Sequence, residues 1–276
     1  MGMWIMAGVT FREAARKKFL WIGLAAGFGF LTLFGIGLHY QLAALNTRVT
    51  NPILRREIVG AMLTMGLYAI DLLIVIMTVL TSVDTISGEI ASGTIQAVAT
   101  KPVPRWQVLA GKWLGFTAML TVFLAVLVGG INLLGYAMAR ITAYHLVRGF
   151  TMMWLECMLL LALTFCFGTV FSTLTSGVLT LGLHGLAFIG GWIEQIGALT
   201  GSPKAVDVGI VASVLMPSES LWRRAAFEMQ SPVAGALQIT PFSNASVPSA
   251  TMVTYAGIYM LLVLGFALRN FQARDL

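Results

Sequence analysis

The sequence predicts an all-α integral membrane protein with six transmembrane helices. Hydrophobic residues make up 58% of the 276 residues, and charged residues make up only 10%. The water-covered surface of a soluble chain normally requires about a quarter charged residues, so this composition excludes an ordinary soluble domain. The apolar residues are gathered into runs of about 20 residues, which is the length that a helix needs to cross a bilayer.

The six predicted spans belong to one membrane domain that covers residues 1–276. Their approximate bounds are 19–38, 58–83, 106–139, 150–171, 177–196 and 249–268. The apolar stretch from Gly149 to Ile193 is too long for one helix, and the polar STLTSG at 172–177 supplies the turn that divides it. An even number of spans places both termini on one side of the membrane.

The residues before the first span predict a short amphipathic helix at the membrane surface. The stretch MWIMAGVTFREAARKK mixes Trp4, Ile5, Val9 and Phe11 with polar positions. The apolar run behind it is too long for the core of a signal peptide, and no small-residue cleavage pattern follows it. We therefore expect the first span to be retained.

Basic residues indicate the orientation of the chain. Four of them directly precede the first span: Arg12, Arg16, Lys17 and Lys18. With the N terminus inside, the inner segments hold nine basic residues and the outer segments eight, so the first span decides the prediction. We expect a protein of the cell (inner) membrane with both termini in the cytoplasm.

The polar segment between the second and third predicted spans has a helical pattern followed by a proline-rich turn. Ile86, Ile90 and Thr94 recur at helical spacing, and the two prolines of KPVPR at 101–105 disfavour helix in the residues before them. Gly93 leaves part of the surface bare, so another chain can approach closely. Taken alone, the pattern fits a plain loop and a docking element equally well.

Three short motifs of this region stand at fixed distances from one another: EIASGTI at 89–95, KPVPR at 101–105 and the later Gly111-Lys112 pair. With these motifs the segment resembles the signature of type-2 (ABC-2) ABC transporter permeases. The resemblance implies that residues 84–100 form a cytoplasmic coupling helix, which inserts into a cleft of a separate ATP-binding subunit. The coupling residues implied are Asp84, Ile86, Glu89, Ile90, Gly93, Thr94, Lys101, Pro102 and Arg105.

The resemblance also implies a function and partners. We expect the permease subunit of an ABC transporter, an exporter that works with two copies of an ATP-binding subunit and a second permease chain, identical or different. ATP and Mg would be bound by the partner, and no cofactor or metal is expected on this chain. Glu89 is expected to pair with the basic N-terminal helix around Arg12 or Arg16.

Catalysis by this chain itself is not expected. Gly111-Lys112 is the only approach to a P-loop, but Trp113 follows where Ser or Thr is needed, and Trp106 occupies the upstream glycine position. The net charge of +6 is spread along the membrane flanks rather than over a domain-sized basic face, so nucleic acid is not an expected partner. The lipid bilayer is the remaining partner.

Three polar residues inside the predicted spans form a possible intramembrane site: Asp71, Glu156 and His184. An ionised carboxylate at mid-bilayer costs about 2.5–3.5 kcal/mol or more, so these groups should face protein or water. One interpretation makes them interhelical hydrogen-bonding partners. The alternative is a self-contained proton- or ion-coupled carrier, or an intramembrane enzyme, built around Asp71 and His184; it predicts activity without an ATPase.

The segment from Gly201 to Pro248 predicts interfacial or re-entrant helices between the last two spans. Its most helical part, MPSESLWRRAAFEMQSP, begins with Ser218 as a candidate N-cap. We expect one side of this helix to be apolar and the other to face lipid headgroups. The apolar side holds Leu221, Trp222, Ala225 and Met229, and the headgroup side holds Arg223, Arg224 and Glu228.

Overall fold

The computed structural model describes residues 2–49, 51–92, 104–231, 233 and 246–273. Within these ranges the chain forms ten α-helices and no β-strand. In chain order they are α1 (Gly2–Arg16), α2 (Lys18–Arg48), α3 (Pro52–Ser82), α4 (Asp84–Ala91), α5 (Arg105–Ala139), α6 (Leu146–Gly168), α7 (Thr173–Thr200), α8 (Pro203–Leu215), α9 (Ser218–Met229) and α10 (Ala250–Ala273).

Six helical stretches in the described part of the chain are long and apolar enough to cross a membrane. They are Lys18–Leu45, Pro52–Ala91, Arg105–Ala139, Leu146–Gly168, Thr173–Thr200 and Ala250–Ala273. The prediction of an all-α membrane protein with six spanning helices is thereby confirmed. The second stretch runs through α3 and α4 together, so the polar segment begins as a continuation of a span.

Helix α6 is the centre of the bundle. Every residue from Glu156 to Cys166 is buried, and α6 packs against α3, α5, α7, α9 and α10. A helix that is apolar all round and buried on every side needs neighbours on every side, and α6 has them. By contrast, α2 and α10 expose large apolar side chains outward; Leu33 is 71% exposed and Leu262 is 68% exposed. A bilayer would cover that outer surface.

Helix α1 lies along the first turns of α5 in a notch made by two glycines. A Cβ atom on Gly111 would lie 2.7 Å from the carbonyl oxygen of Met3, and one on Gly115 would lie 2.7 Å from that of Ala7. Only glycine permits this approach of two backbones. The other face of α1 exposes Trp4, and its position at a bilayer surface stays a prediction.

Helices α8 and α9 form a bent pair between the fifth and sixth spanning stretches. Their axes differ by 107°, and the break falls at Met216 and Pro217. Met216 has extended backbone, which ends α8, and Pro217 precedes the first turn of α9. α8 packs against α7, whereas α9 turns inward against α6.

Part of the predicted two-sided pattern of α9 is wrong. The predicted apolar side is buried, but Arg223 and Glu228 are buried as well, at 2% and 9% exposure, instead of facing headgroups. Ser218 is the first helical residue rather than the N-cap, and its hydroxyl bonds to His184. Both differences arise because neighbouring helices offer these polar groups charged or hydrogen-bonding partners.

Candidate functional site

Helix α4 is the described part of the predicted coupling helix, and it is fixed to two other spanning helices. Val83 between α3 and α4 keeps helical dihedral angles, so α4 extends α3 without a hinge residue. Ile86 is buried against the end of α6. A Cβ atom added to Gly168 would lie 3.4 Å from the Cβ atom of Ile86. Ser87 Oγ and Thr173 Oγ1 are 2.8 Å apart at the start of α7. α4 is therefore wedged against the turn between α6 and α7.

Seven of the nine predicted coupling residues divide into three groups, and the other two, Glu89 and Arg105, make polar contacts with other helices. Ile86 and, in part, Ile90 pack inside the chain, whereas Asp84 lies on the exposed side of α4. Ile86 thus helps to hold α4 in place, and its role in coupling stays a prediction. Gly93, Thr94, Lys101 and Pro102 lie outside the described residues, and their roles stay predictions.

Glu89 on α4 forms an ion pair with Lys112 on α5. The Lys112 side chain is 5% exposed and that of Glu89 is 22% exposed, so the ammonium group depends on this carboxylate for its compensation. The expected pair with Arg12 or Arg16 is not among the ion pairs of the described residues, and both arginines are exposed on α1. Two signature positions distant in sequence therefore bind each other inside one chain.

Arg105 and Lys17 tie further helix ends to this region. Arg105, the first residue of α5, donates through Nη1 to the carbonyl oxygen of Gln272, 3.4 Å away in the last turn of α10. A cation at a helix C terminus hydrogen-bonds to a terminal carbonyl and interacts favourably with the negative end of the helix dipole. Lys17 Nζ lies 3.5 Å from both the Thr81 carbonyl oxygen and Thr85 Oγ1, at the junction of α3 and α4.

These contacts join the helix ends at one face of the bundle. Sequence reasoning assigned Lys17 to orientation alone and did not foresee its contact with α3 and α4. No sequence signal identified that contact, because charge before a span occurs in many membrane proteins.

Comparison with known protein families identifies the family of this chain. The chain matches the family described as ABC-2 family transporter protein over residues 3–276. The chain belongs to the ABC-2 transporter family. A comparison with curated proteins gave no match.

Family membership makes the chain a multi-pass transmembrane subunit of an ABC transporter system, a permease that works with an ATPase partner. It does not favour the self-contained carrier or the intramembrane enzyme. The segment that resembles the family signature lies within the matched residues.

The three polar residues predicted inside the spans of the permease do meet. His184 Nδ1 on α7 lies 3.9 Å from Glu156 Oε1 on α6, and the Asp71 carboxyl on α3 neighbours that of Glu156. All three are nearly excluded from solvent, with Glu156 at 1% exposure. No hydrogen bond of ordinary geometry from the described residues reaches either oxygen of Glu156.

Helix α9 adds two residues to this cluster that sequence reasoning missed. Ser218 Oγ lies 3.0 Å from His184 Nδ1, and Glu219 is buried at 4% exposure close enough to Asp71 for their charges to interact. Gly191 on α7 makes room for Glu219, since a Cβ there would lie 2.7 Å from Glu219 Cγ. No sequence signal singled out Glu219, because α9 carries three other charged residues, Arg223, Arg224 and Glu228.

The cluster of Asp71, Glu156, His184, Ser218 and Glu219 brings together buried polar side chains from α3, α6, α7 and α9. Across the described ranges, no group of three or more His, Cys, Asp or Glu side chains is arranged to hold a metal ion. Both interpretations of the site, an interhelical hydrogen-bonding group and a proton or ion pathway, stay predictions.

A second buried polar group links α7, α8 and α9. Arg223 Nη2 donates to Glu194 Oε2 at 2.8 Å and to Ser213 Oγ at 3.4 Å. The Arg223 side chain is 2% exposed and the Glu194 side chain is 7% exposed. Ser246, which precedes α10, donates to the other oxygen of Glu194. This pair therefore fixes the bent helix pair to the bundle.

Proposed function

We propose that this permease couples ATP hydrolysis by a separate nucleotide-binding subunit to the export of a substrate, with α4 as the coupling element. The observation that carries the proposal is the fixed position of α4. It continues α3, is wedged against α6 and α7, and is ion-paired to α5 through Glu89 and Lys112. A force on its exposed end at Ala91 therefore reaches four spanning helices.

The proposed assembly contains two permease chains, identical or different, and two ATP-binding subunits that supply ATP and Mg binding. Both termini lie on the cytoplasmic side of the cell membrane, together with α4. The basic residues before α2 support this orientation. Closure of the ATP-binding subunits would push the paired α4 helices and open a path between the two permeases.

Co-purification from mild detergent tests this proposal. The tagged permease is expressed with its native host proteins, isolated, and assayed for a bound ATPase by mass spectrometry and for ATP hydrolysis. Ala91→Trp enlarges the exposed end of α4, and Ala250→Trp makes the same change at the exposed start of α10. Because the two sites lie at opposite ends of the bundle, the second variant is the matched control.

We expect the wild type and Ala250→Trp to retain an ABC ATPase, and Ala91→Trp to lose it or to lose stimulated hydrolysis at least tenfold. Retention and full stimulation in Ala91→Trp would refute α4 as the coupling element. If no ATPase accompanies any of the three proteins, the proposed coupling itself fails.

A further inference from the structure

An amphipathic cavity of about 260 Å³ lies between α7, α8, α9 and the start of α10. Its polar lining includes the Glu194–Arg223 ion pair and the hydroxyl-bearing residues Ser213, Ser220 and Ser246. Its apolar lining comes from α8 and α10, among them Val214. Polar groups on one side and apolar groups on the other suit an amphiphile rather than a wholly apolar or wholly polar ligand.

The charges of the cavity balance. One guanidinium and one carboxylate stand 2.8 Å apart, and both are buried. An anionic ligand would be repelled by Glu194 and a cationic ligand by Arg223. A ligand that carries one positive and one negative group satisfies both, since its phosphate meets the guanidinium and its ammonium meets the carboxylate.

One hydroxyl in the cavity has no hydrogen-bond partner among the residues that the structure describes. Ser220 is 2% exposed, and among the described residues its Oγ has no hydrogen bond. Ser220 and Arg223 lie one turn apart on the same face of α9, so both line the cavity together. A buried hydroxyl left unpaired is destabilising, and a ligand oxygen in the cavity would relieve that cost.

We propose that this cavity binds the zwitterionic head of an amphiphile, of the phosphoethanolamine type, with its acyl chains lying along α8. The cavity is smaller than the 300–1,000 Å³ of sites that enclose a whole drug-sized ligand, so it holds a head alone. Val211 and Leu215 on α8 are 60% and 66% exposed, which leaves apolar surface beside the cavity for the chains. The assignment of this amphiphile as cargo rests on the proposed transport function, whereas its binding does not.

Binding is measured on the purified full-length chain by native mass spectrometry, with dioctanoyl phosphatidylethanolamine, dioctanoyl phosphatidylglycerol and dioctanoylglycerol as probes. Glycerophosphoethanolamine, which has the same head without chains, separates a lipid ligand from a soluble one. We expect phosphatidylethanolamine to bind at least tenfold more tightly than each of the other three. Equal or tighter binding of phosphatidylglycerol or dioctanoylglycerol would overturn the zwitterionic assignment, and equal binding of the chain-free head would overturn the amphiphile.

Two pairs of variants locate the binding. Val214→Trp fills the cavity, whereas Val178→Trp adds the same bulk to the exposed side of α7, away from the cavity lining and from α8; both valines are about half exposed or more. Val214→Trp should weaken binding at least tenfold and Val178→Trp should leave it unchanged. Unchanged binding in Val214→Trp would refute this location.

Ser220→Ala provides a second test that leaves the ion pair and the fold in place. Ser176→Ala is its matched control, because Ser176 is also buried without a hydrogen-bond partner in the described structure and lies outside the cavity. We expect Ser220→Ala to weaken binding about three- to tenfold, as for one lost hydrogen bond, and Ser176→Ala to have no effect. Equal effects of the two changes would contradict the proposal.

The inference and the proposed function fail separately. Binding requires no ATPase, so loss of binding with intact coupled hydrolysis would refute the cavity alone. Binding in a chain that retains no ATPase would keep the site and remove its interpretation as a cargo site.

Discussion

The ion pair between Glu89 and Lys112 predicts an asymmetry between its two single variants. Glu89→Gln leaves a nearly buried ammonium without its carboxylate, whereas Lys112→Met leaves a carboxylate that is 22% exposed and can draw on water. Breaking a fully buried pair costs about 3–5 kcal/mol, and an exposed pair is worth about 1 kcal/mol or less. We expect Glu89→Gln to destabilise by about 2–3 kcal/mol and Lys112→Met by about 1 kcal/mol.

Thermal unfolding in detergent measures the asymmetry. At about 2–4 °C per kcal/mol for a chain of this size, Glu89→Gln should lower Tm by about 4–12 °C and Lys112→Met by about 2–4 °C. The double variant removes both charges, so its Tm should lie above that of Glu89→Gln.

Two results would refute this reasoning. A larger loss for Lys112→Met than for Glu89→Gln would mean that burial of the ammonium does not set the cost. A double variant less stable than Glu89→Gln would mean that the two groups do not depend on each other. In the assembled transporter, the same asymmetry should appear in stimulated ATP hydrolysis, because a loosened α4 transmits less force.

Three further predictions concern other contacts. Gly115→Val should displace α1 from its notch on α5 and expose it to limited proteolysis, whereas Gly129→Val, with nothing within 4 Å of its Cβ position, should not. Arg223→Leu should cost about 3–5 kcal/mol in unfolding free energy because it strands Glu194, and removing Glu194 as well should recover most of it. Asp71→Asn should keep ATP-dependent transport within about twofold, since the amide preserves hydrogen bonding; loss of transport with intact hydrolysis would revive a proton pathway.

The candidate sites were only partly predictable from the sequence. Asp71, Glu156 and His184 stood out because a polar residue in an apolar run is costly unless it faces protein. Glu219 was missed because it lies outside the predicted spans, where an acid needs no explanation. It enters the cluster only because the bend after Met216 turns α9 inward.

The choice of ionic partners was likewise not predictable. The signature included both Glu89 and Lys112, but Glu89 was expected to form its ion pair with the N-terminal helix. Because α4 packs against the turn between α6 and α7, Glu89 lies beside α5 and pairs with Lys112 instead. The spacing of residues along a helix says which of them share a face, not which helix that face meets.

The sequence by itself determined the class, the six spanning helices and the family. These follow from local properties: the length of each apolar run, the polar breaks between runs, and a short signature, all set by the cost of leaving backbone and charge unsatisfied in lipid. Only the tertiary structure decided which buried charges compensate one another, and that Arg223 points inward to Glu194 rather than outward to headgroups. Partners distant in sequence become neighbours only when the helices pack, because the burial that makes their pairing necessary does not exist before then.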